Sequence, residues 1–131
     1  MLKYPVIVVL LLIFISSLQA QEEKFESIVA NHQQNPTESL VRLKKIYAQS
    51  IEHNDELLEG QCLQQMGKVC YAQGHFSQSL EFFLKADQIF NTAKKPLLMA
   101  ANLTDVGILY YYMKQHDQAM SSYRAALHIY K

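Results

Sequence analysis

The sequence predicts an all-α protein built from repeated helical hairpins, and three observations carry that prediction. First, apolar residues recur at spacings of three and four between Gly60 and Asn91. Leu63, Met66, Cys70 and Tyr71 form one stripe, and Phe76, Leu80, Phe83, Ala86 and Phe90 form another. Such spacing keeps apolar side chains on one face of a helix. Second, Gly74-His75 separates the two stripes, and glycine adopts the left-handed conformation that closes a helix. Third, the stretch recurs when it is moved forward by forty positions. Leu63 meets Leu103, Gly67 meets Gly107, Tyr71 meets Tyr111, Phe83 meets Tyr123, Ala86 meets Ala126 and Ile89 meets Ile129. A fixed period of this size marks a repeat architecture.

The chain opens on a leader. Lys3 supplies a positive start, Val6 to Ile15 is an unbroken apolar run, and Ser16-Ser17-Leu18-Gln19-Ala20 ends on a small residue. That layout is a secretory signal peptide over residues 1–20, with cleavage expected after Ala20. Ten apolar residues fall short of the roughly 20 that span a bilayer, which favours removal over retention as an anchor. No cysteine lies near the cut, which argues against a lipid anchor. The exported chain then runs over 21–131, with eleven basic residues against twelve acidic ones. This balance gives no electrostatic case for nucleic acid or for an anionic membrane surface. The length suits one domain with a modest core.

Three hairpins follow, over about 21–55, 56–95 and 96–131. The first is degenerate: moving the central unit back by forty places Ser79 on Ser39, Leu80 on Leu40, Phe83 on Leu43 and Ile89 on Gln49. Its first helix is expected from Glu22 to Gln33, with Phe25, Ile28 and Val29 as the only large apolar residues. That polarity fits the terminal unit of a stack, which has a neighbour on one side only. A turn at Asn35-Pro36 leads to a helix opening at Thr37 and ending near Ile51. His53-Asn54-Asp55 turns into the central pair, and Lys94-Lys95-Pro96 into the third. Proline suits a helix start, where its missing N–H would be unpaired anyway. The last pair is expected over Pro96 to Met113 and His116 to Tyr130.

The pattern within each copy resembles the tetratricopeptide repeat family. That family places an apolar residue, a Leu-Gly pair and a Tyr along its first helix, then Ala and an aromatic residue along its second. The central copy supplies Leu63, Met66-Gly67, Cys70, Ser79 and Phe83. The third supplies Leu103, Val106-Gly107, Tyr110, Ala119 and Tyr123, and is the better match. Cys70 for Tyr and Ser79 for Ala are the departures. Gly67, Gly107 and Ala119 are expected where two helix backbones come close. The forty-residue period exceeds the usual thirty-four, which is similar to long-period variants in bacterial signalling proteins and kinesin light chains. The resemblance implies a right-handed superhelical stack, an αα solenoid of three hairpins, with a groove lined by the first helix of each.

By that arrangement the groove residues are Gln61, Gln64, Lys68 and Tyr71 from the central pair. The third pair contributes Ala101, Thr104, Ile108, Tyr111 and Tyr112, and the first contributes Lys24, Ile28 and Asn31. Tyr110 matches the packing tyrosine of the family and is expected in the core. Tyrosines offer large contact area at low entropic cost, which suits a protein or peptide partner. The paired Lys, Asn and Arg residues with which some family members hold a terminal carboxylate are not reproduced by Gln64, Lys68, Thr104 and Ile108, so that role does not carry over. Met120, Tyr123, Leu127 and Tyr130 are expected on the open face of the last helix. There they would meet further repeats, a second copy of the chain or another partner.

No catalytic arrangement, cofactor or metal site is legible. His32, His53, His75, His116 and His128 fall at turns or helix ends without ligand spacing. Cys62 and Cys70 stand eight positions apart on one expected helix. Their Cα atoms would be about 12 Å apart at 1.5 Å rise per residue, too far for a disulfide. The expected function is a non-catalytic interaction module exported to the periplasm or cell envelope. Its resemblance points to the sensing or docking region of a signalling protein. The alternative is a periplasmic scaffold that self-associates through its last helix.

Overall fold

The computed structural model describes residues 3–31 and 33–131. They form six α-helices with no strand among them: α1 (Lys3–Asn31), α2 (Pro36–Glu52), α3 (Glu56–Ala72), α4 (Phe76–Thr92), α5 (Pro96–Tyr112) and α6 (His116–Tyr130). From α2 onward every helix begins twenty residues after the last. Forty residues is thus two identical steps, each a helix and a turn.

The turns show why the step is constant. Asn54, Gly74, Lys94 and Lys114 all adopt positive φ, between 54° and 77°. In each case the next N–H reaches back five residues to a helix carbonyl. Asp55 donates to Ser50 O, His75 to Cys70 O, Lys95 to Phe90 O and Gln115 to Tyr110 O, at 2.8–2.9 Å. This left-handed closure satisfies carbonyls that the helix end would leave unpaired. Glycine is the natural residue for it, yet only Gly74 provides one. Asn54 tolerates the conformation better than most residues, and at Lys94 and Lys114 it costs about 1–2 kcal/mol each.

Helix starts are less uniform. Asn35 caps α2 by accepting from Glu38 N, and its Nδ2 donates to the Glu38 carboxylate at 2.8 Å. The helix therefore opens on Asn35-Pro36 rather than on Thr37. Asp55 caps α3 by accepting from Leu58 N at 3.0 Å. The starts of α4, α5 and α6 have no side-chain cap, and α5 relies on Pro96 in its first turn.

Each helix packs against the next in chain order, and α3 also touches α5. That succession is the packing of a helical repeat. One core cluster gathers Phe25, Ile28, Leu43, Ile46, Leu63, Met66, Val69 and Phe90. A second holds Phe83, Val106 and Leu109, with Tyr71, Phe76, Leu80 and Tyr110 packed against it. Gly67 and Gly107 sit at close approaches, though what they meet is a ring rather than a backbone. A Cβ on Gly67 would stand 2.7 Å from the Phe83 ring, and one on Gly107 2.5 Å from the Tyr123 ring. Ser79 is fully buried and donates to Gly67 O at 2.7 Å. That hydrogen bond ties α3 to α4 across the hairpin.

The N-terminal segment differs from expectation. The expected leader and the expected helix from Glu22 form one continuous helix, α1, instead of a separate helix starting at Glu22. No Gly or Pro lies between Val6 and Asn35, so nothing local breaks it. Every apolar side chain from Tyr4 to Ile15 is exposed. By length and composition α1 matches a signal sequence or a membrane anchor. Residues 1, 2 and His32 lie outside the described residues.

Candidate functional site

The first helices of the second and third hairpins bring their lateral faces together over α4. Lys68, Tyr71 and Ala72 lie on one face of α3, at the three- and four-residue spacings that align side chains. Asp105 and Ile108 do the same on α5. Between them is a cavity of about 340 Å³, floored by Phe83 and flanked by Gln33 from the turn before α2.

Its polar element is Asp105, whose side chain is 24% exposed. Lys68 Nζ stands 3.7 Å from Asp105 Oδ2, and the buried Gln64 Nε2 stands 3.5 Å from the same oxygen. Burial pushes the Asp105 carboxyl up from the usual carboxylate range, with Lys68 and Gln64 pulling the other way. Desolvation outweighs the attraction because neither donor is close.

Above the cavity runs a chain of five rings. Phe76 lies 5.9 Å from Tyr71, Tyr71 lies 5.6 Å from Tyr112 at 71°, and Tyr112 lies 5.9 Å from Tyr111 at 89°. His116 ends the series 5.4 Å from Tyr111. Near-perpendicular rings at these separations are favourable aromatic pairs. Tyr71 is half-buried, and its hydroxyl is pushed up to about 12, by burial first and then by Tyr112. Tyr111 and Tyr112 are each 57% exposed, so the string is anchored at one end and open at the other.

The residues named from sequence distribute unevenly over this surface. Lys68, Tyr71 and Ile108 line the cavity, Gln64 reaches it through Asp105, and Tyr111 and Tyr112 form the exposed rings. Thr104 is half-buried and its hydroxyl donates to Ala100 O at 3.0 Å. Gln61 lines a separate cavity of about 230 Å³ between α1 and α3, with Phe25, Leu57 and Leu58. Ile28 is buried in the core and not in the groove, because α1 turns that face toward α2. Lys24 and Asn31 are exposed. On α6, Met120, Leu127 and Tyr130 are about half exposed, whereas Tyr123 is half-buried over Gly107. Tyr123 thus serves the hairpin interior.

Asp105 and Gln33 line the site without having been expected there, and Phe83, expected only as a packing residue, floors it. Asp105 carried one signal: it is the only charged residue in α5. A lone charge in so apolar a helix needs a partner or an opening.

Elsewhere the reactive side chains are quiet. Cys62 and Cys70 are free and buried. Burial, and then Asp55 and Glu59, pushes the Cys62 thiol up to about 12. His53 Nδ1 lies 2.8 Å from Gln49 O at its helix end. Among the described residues no group of three or more His, Cys, Asp or Glu converges as a metal site would require. The chain matches no family model and no curated protein sequence.

Proposed function

We propose that this chain is an exported, non-catalytic interaction module that binds a protein or peptide segment through the groove between α3 and α5. The observation that carries the reading is the 340 Å³ cavity beside exposed Tyr111 and Tyr112. Rigid aromatic surface next to a few polar groups is the composition of peptide-recognition surfaces. The tetratricopeptide-like pattern supports a superhelical stack of hairpins over 21–131 whose first helices form the inner wall. The apolar α1 segment supports export to the periplasm or envelope, with residues 1–20 acting as a signal peptide or an anchor. In a sensing or docking region of a signalling protein, occupancy of the groove would shift hairpin against hairpin.

The test is binding of the full chain, held in neutral maltoside micelles, to an array of unrelated twelve-residue peptides. A subset is expected to bind, and Tyr112→Ala is expected to weaken it by about tenfold, a usual loss for an aromatic anchor. Binding that ignores Tyr112→Ala removes the groove from the mechanism.

A second reading is favoured by one observation. Met120, Leu127 and Tyr130 leave an apolar stripe on α6, which suits a scaffold that self-associates through its last helix.

A further inference from the structure

The charge on Asp105 is poorly matched by its surroundings. Its side chain is three-quarters buried, yet its nearest donors stand at 3.5 and 3.7 Å, at or beyond the reach of a hydrogen bond. Both approach Oδ2, and Oδ1 takes no hydrogen bond from the described residues. A carboxylate has about four acceptor sites, so Oδ1 is left facing the open cavity, for water or for a donor that enters it. Among the described residues the cavity it faces is otherwise lined by Tyr71, Ile108, Phe83, Ala72 and the exposed Gln33, with Lys68 as the only cation. Lys68 is 39% exposed on a long stem, so it is free to turn its ammonium outward.

We infer that this cavity takes an arginine side chain of the bound segment, with the guanidinium on the Asp105 carboxylate, the stem along Ile108 and one face toward Tyr71. Three features select that occupant. The planar guanidinium fork supplies paired donors that fit both oxygens of a carboxylate. It also stacks on tyrosine, where an ammonium acts only as a point charge. An anionic side chain drawn to Lys68 would instead stand beside an under-bonded carboxylate, and the two negative charges would repel. The inference rests on the groove reading above and adds the chemistry of what the groove reads.

The probes are capped single amino acids titrated into the isotope-labelled full chain in neutral maltoside micelles, with backbone amide shifts as the readout. N-acetyl-arginine methylamide is expected to move Asp105, Ile108 and Tyr71. The isosteric, uncharged citrulline derivative should bind at least about tenfold more weakly, as expected when a charge-assisted bidentate contact is lost. Asp105→Asn should abolish the difference between the two. Lys68→Ala should strengthen arginine binding by about threefold, because a competing cation has gone. Equal responses to arginine, lysine and citrulline, or a larger response to the glutamate derivative, overturn the inference. Those outcomes leave the groove reading standing if array peptides still depend on Tyr112. A chain that binds none of the probes and no array peptide removes both.

Discussion

At Gly107 a single missing methyl group sets the distance between two helices. A Cβ there would lie 2.5 Å from the Tyr123 ring, and that ring is held by its own helix. Gly107→Ala is therefore expected to destabilise the chain by about 1–3 kcal/mol, the range for overpacking. Tyr123→Leu in the Gly107→Ala background should restore part of the loss, and a double-mutant cycle in urea measures the coupling. Strict additivity would show that the ring is not the obstacle. Gly74→Ala differs in kind, since nothing lies within 4 Å and only the φ of 77° resists. It should cost about 1 kcal/mol, with no coupling to any ring. Cys62 offers a second test at this scale. A fully buried thiol pushed up to about 12 presents almost no thiolate, and thiolate is the reactive form. Alkylation of Cys62 at pH 8 is expected to wait for unfolding, as mass spectrometry across a urea series would record. Gly67 and Gly107 were legible in the sequence because the shift of forty superimposes them together with their rings. Asp105 was not, because Gln64 lies 41 positions away and only packing shows that they meet.

Between elements, the joint of α4 with α5 holds the least satisfied polar groups. Asn102 is fully buried and donates through Nδ2 to Phe83 O at 2.8 Å. Its Oδ1 and the Oδ1 of Asp87 are buried with no partner among the described residues. Burial raises the Asp87 carboxyl, with the Asn102 side chain pulling it back, and burial likewise raises Asp105. The folded chain therefore holds both protons more tightly than the unfolded chain, whose carboxyls titrate near 3.8. Their contribution to stability is complete below that value and is lost as the pH climbs through the raised folded values. Asp105→Asn should accordingly be more stable than the parent at neutral pH, with the advantage shrinking as the pH falls toward 3.8. Urea midpoints measured from pH 3 to 7 decide it, and an advantage that grows on acidification would contradict the assignment. Asn102→Ala should loosen the same joint by about 1–3 kcal/mol through the lost buried hydrogen bond. The boundaries around α2 to α5 were readable within a residue or two from Asn, Gly and Pro at the turns, and the α5–α6 turn, which has none of them, from the shift of forty that places it on Gly74-His75. The continuity of α1 was not, because the break expected near Ala20 rested on the layout of a signal peptide, while the residues around it are helix-compatible.

Across the whole molecule, the twenty-residue step makes α6 the counterpart of α4. Met120 and Tyr130 occupy the positions of Leu80 and Phe90, forty residues earlier. Leu80 is half-buried and Phe90 fully buried, whereas Met120 and Tyr130 are 50% and 55% exposed. The difference is environmental: α4 packs on both α3 and α5, whereas α6 packs on α5. An apolar stripe shaped to receive a helix should take one when another copy supplies it. The full chain in neutral maltoside micelles is thus expected to show concentration-dependent association by light scattering. Leu127→Lys with Tyr130→Lys should weaken that association by about tenfold or more, because two desolvated apolar contacts become charges at the centre of the contact. Tyr112→Ala, which lies on α5 near the groove, should leave it unchanged. A parent chain that stays monomeric with one chain per micelle at high protein concentration would remove the scaffold reading and leave the groove to carry function alone. Association lost equally in both variants would place the contact along the ring string instead of along α6.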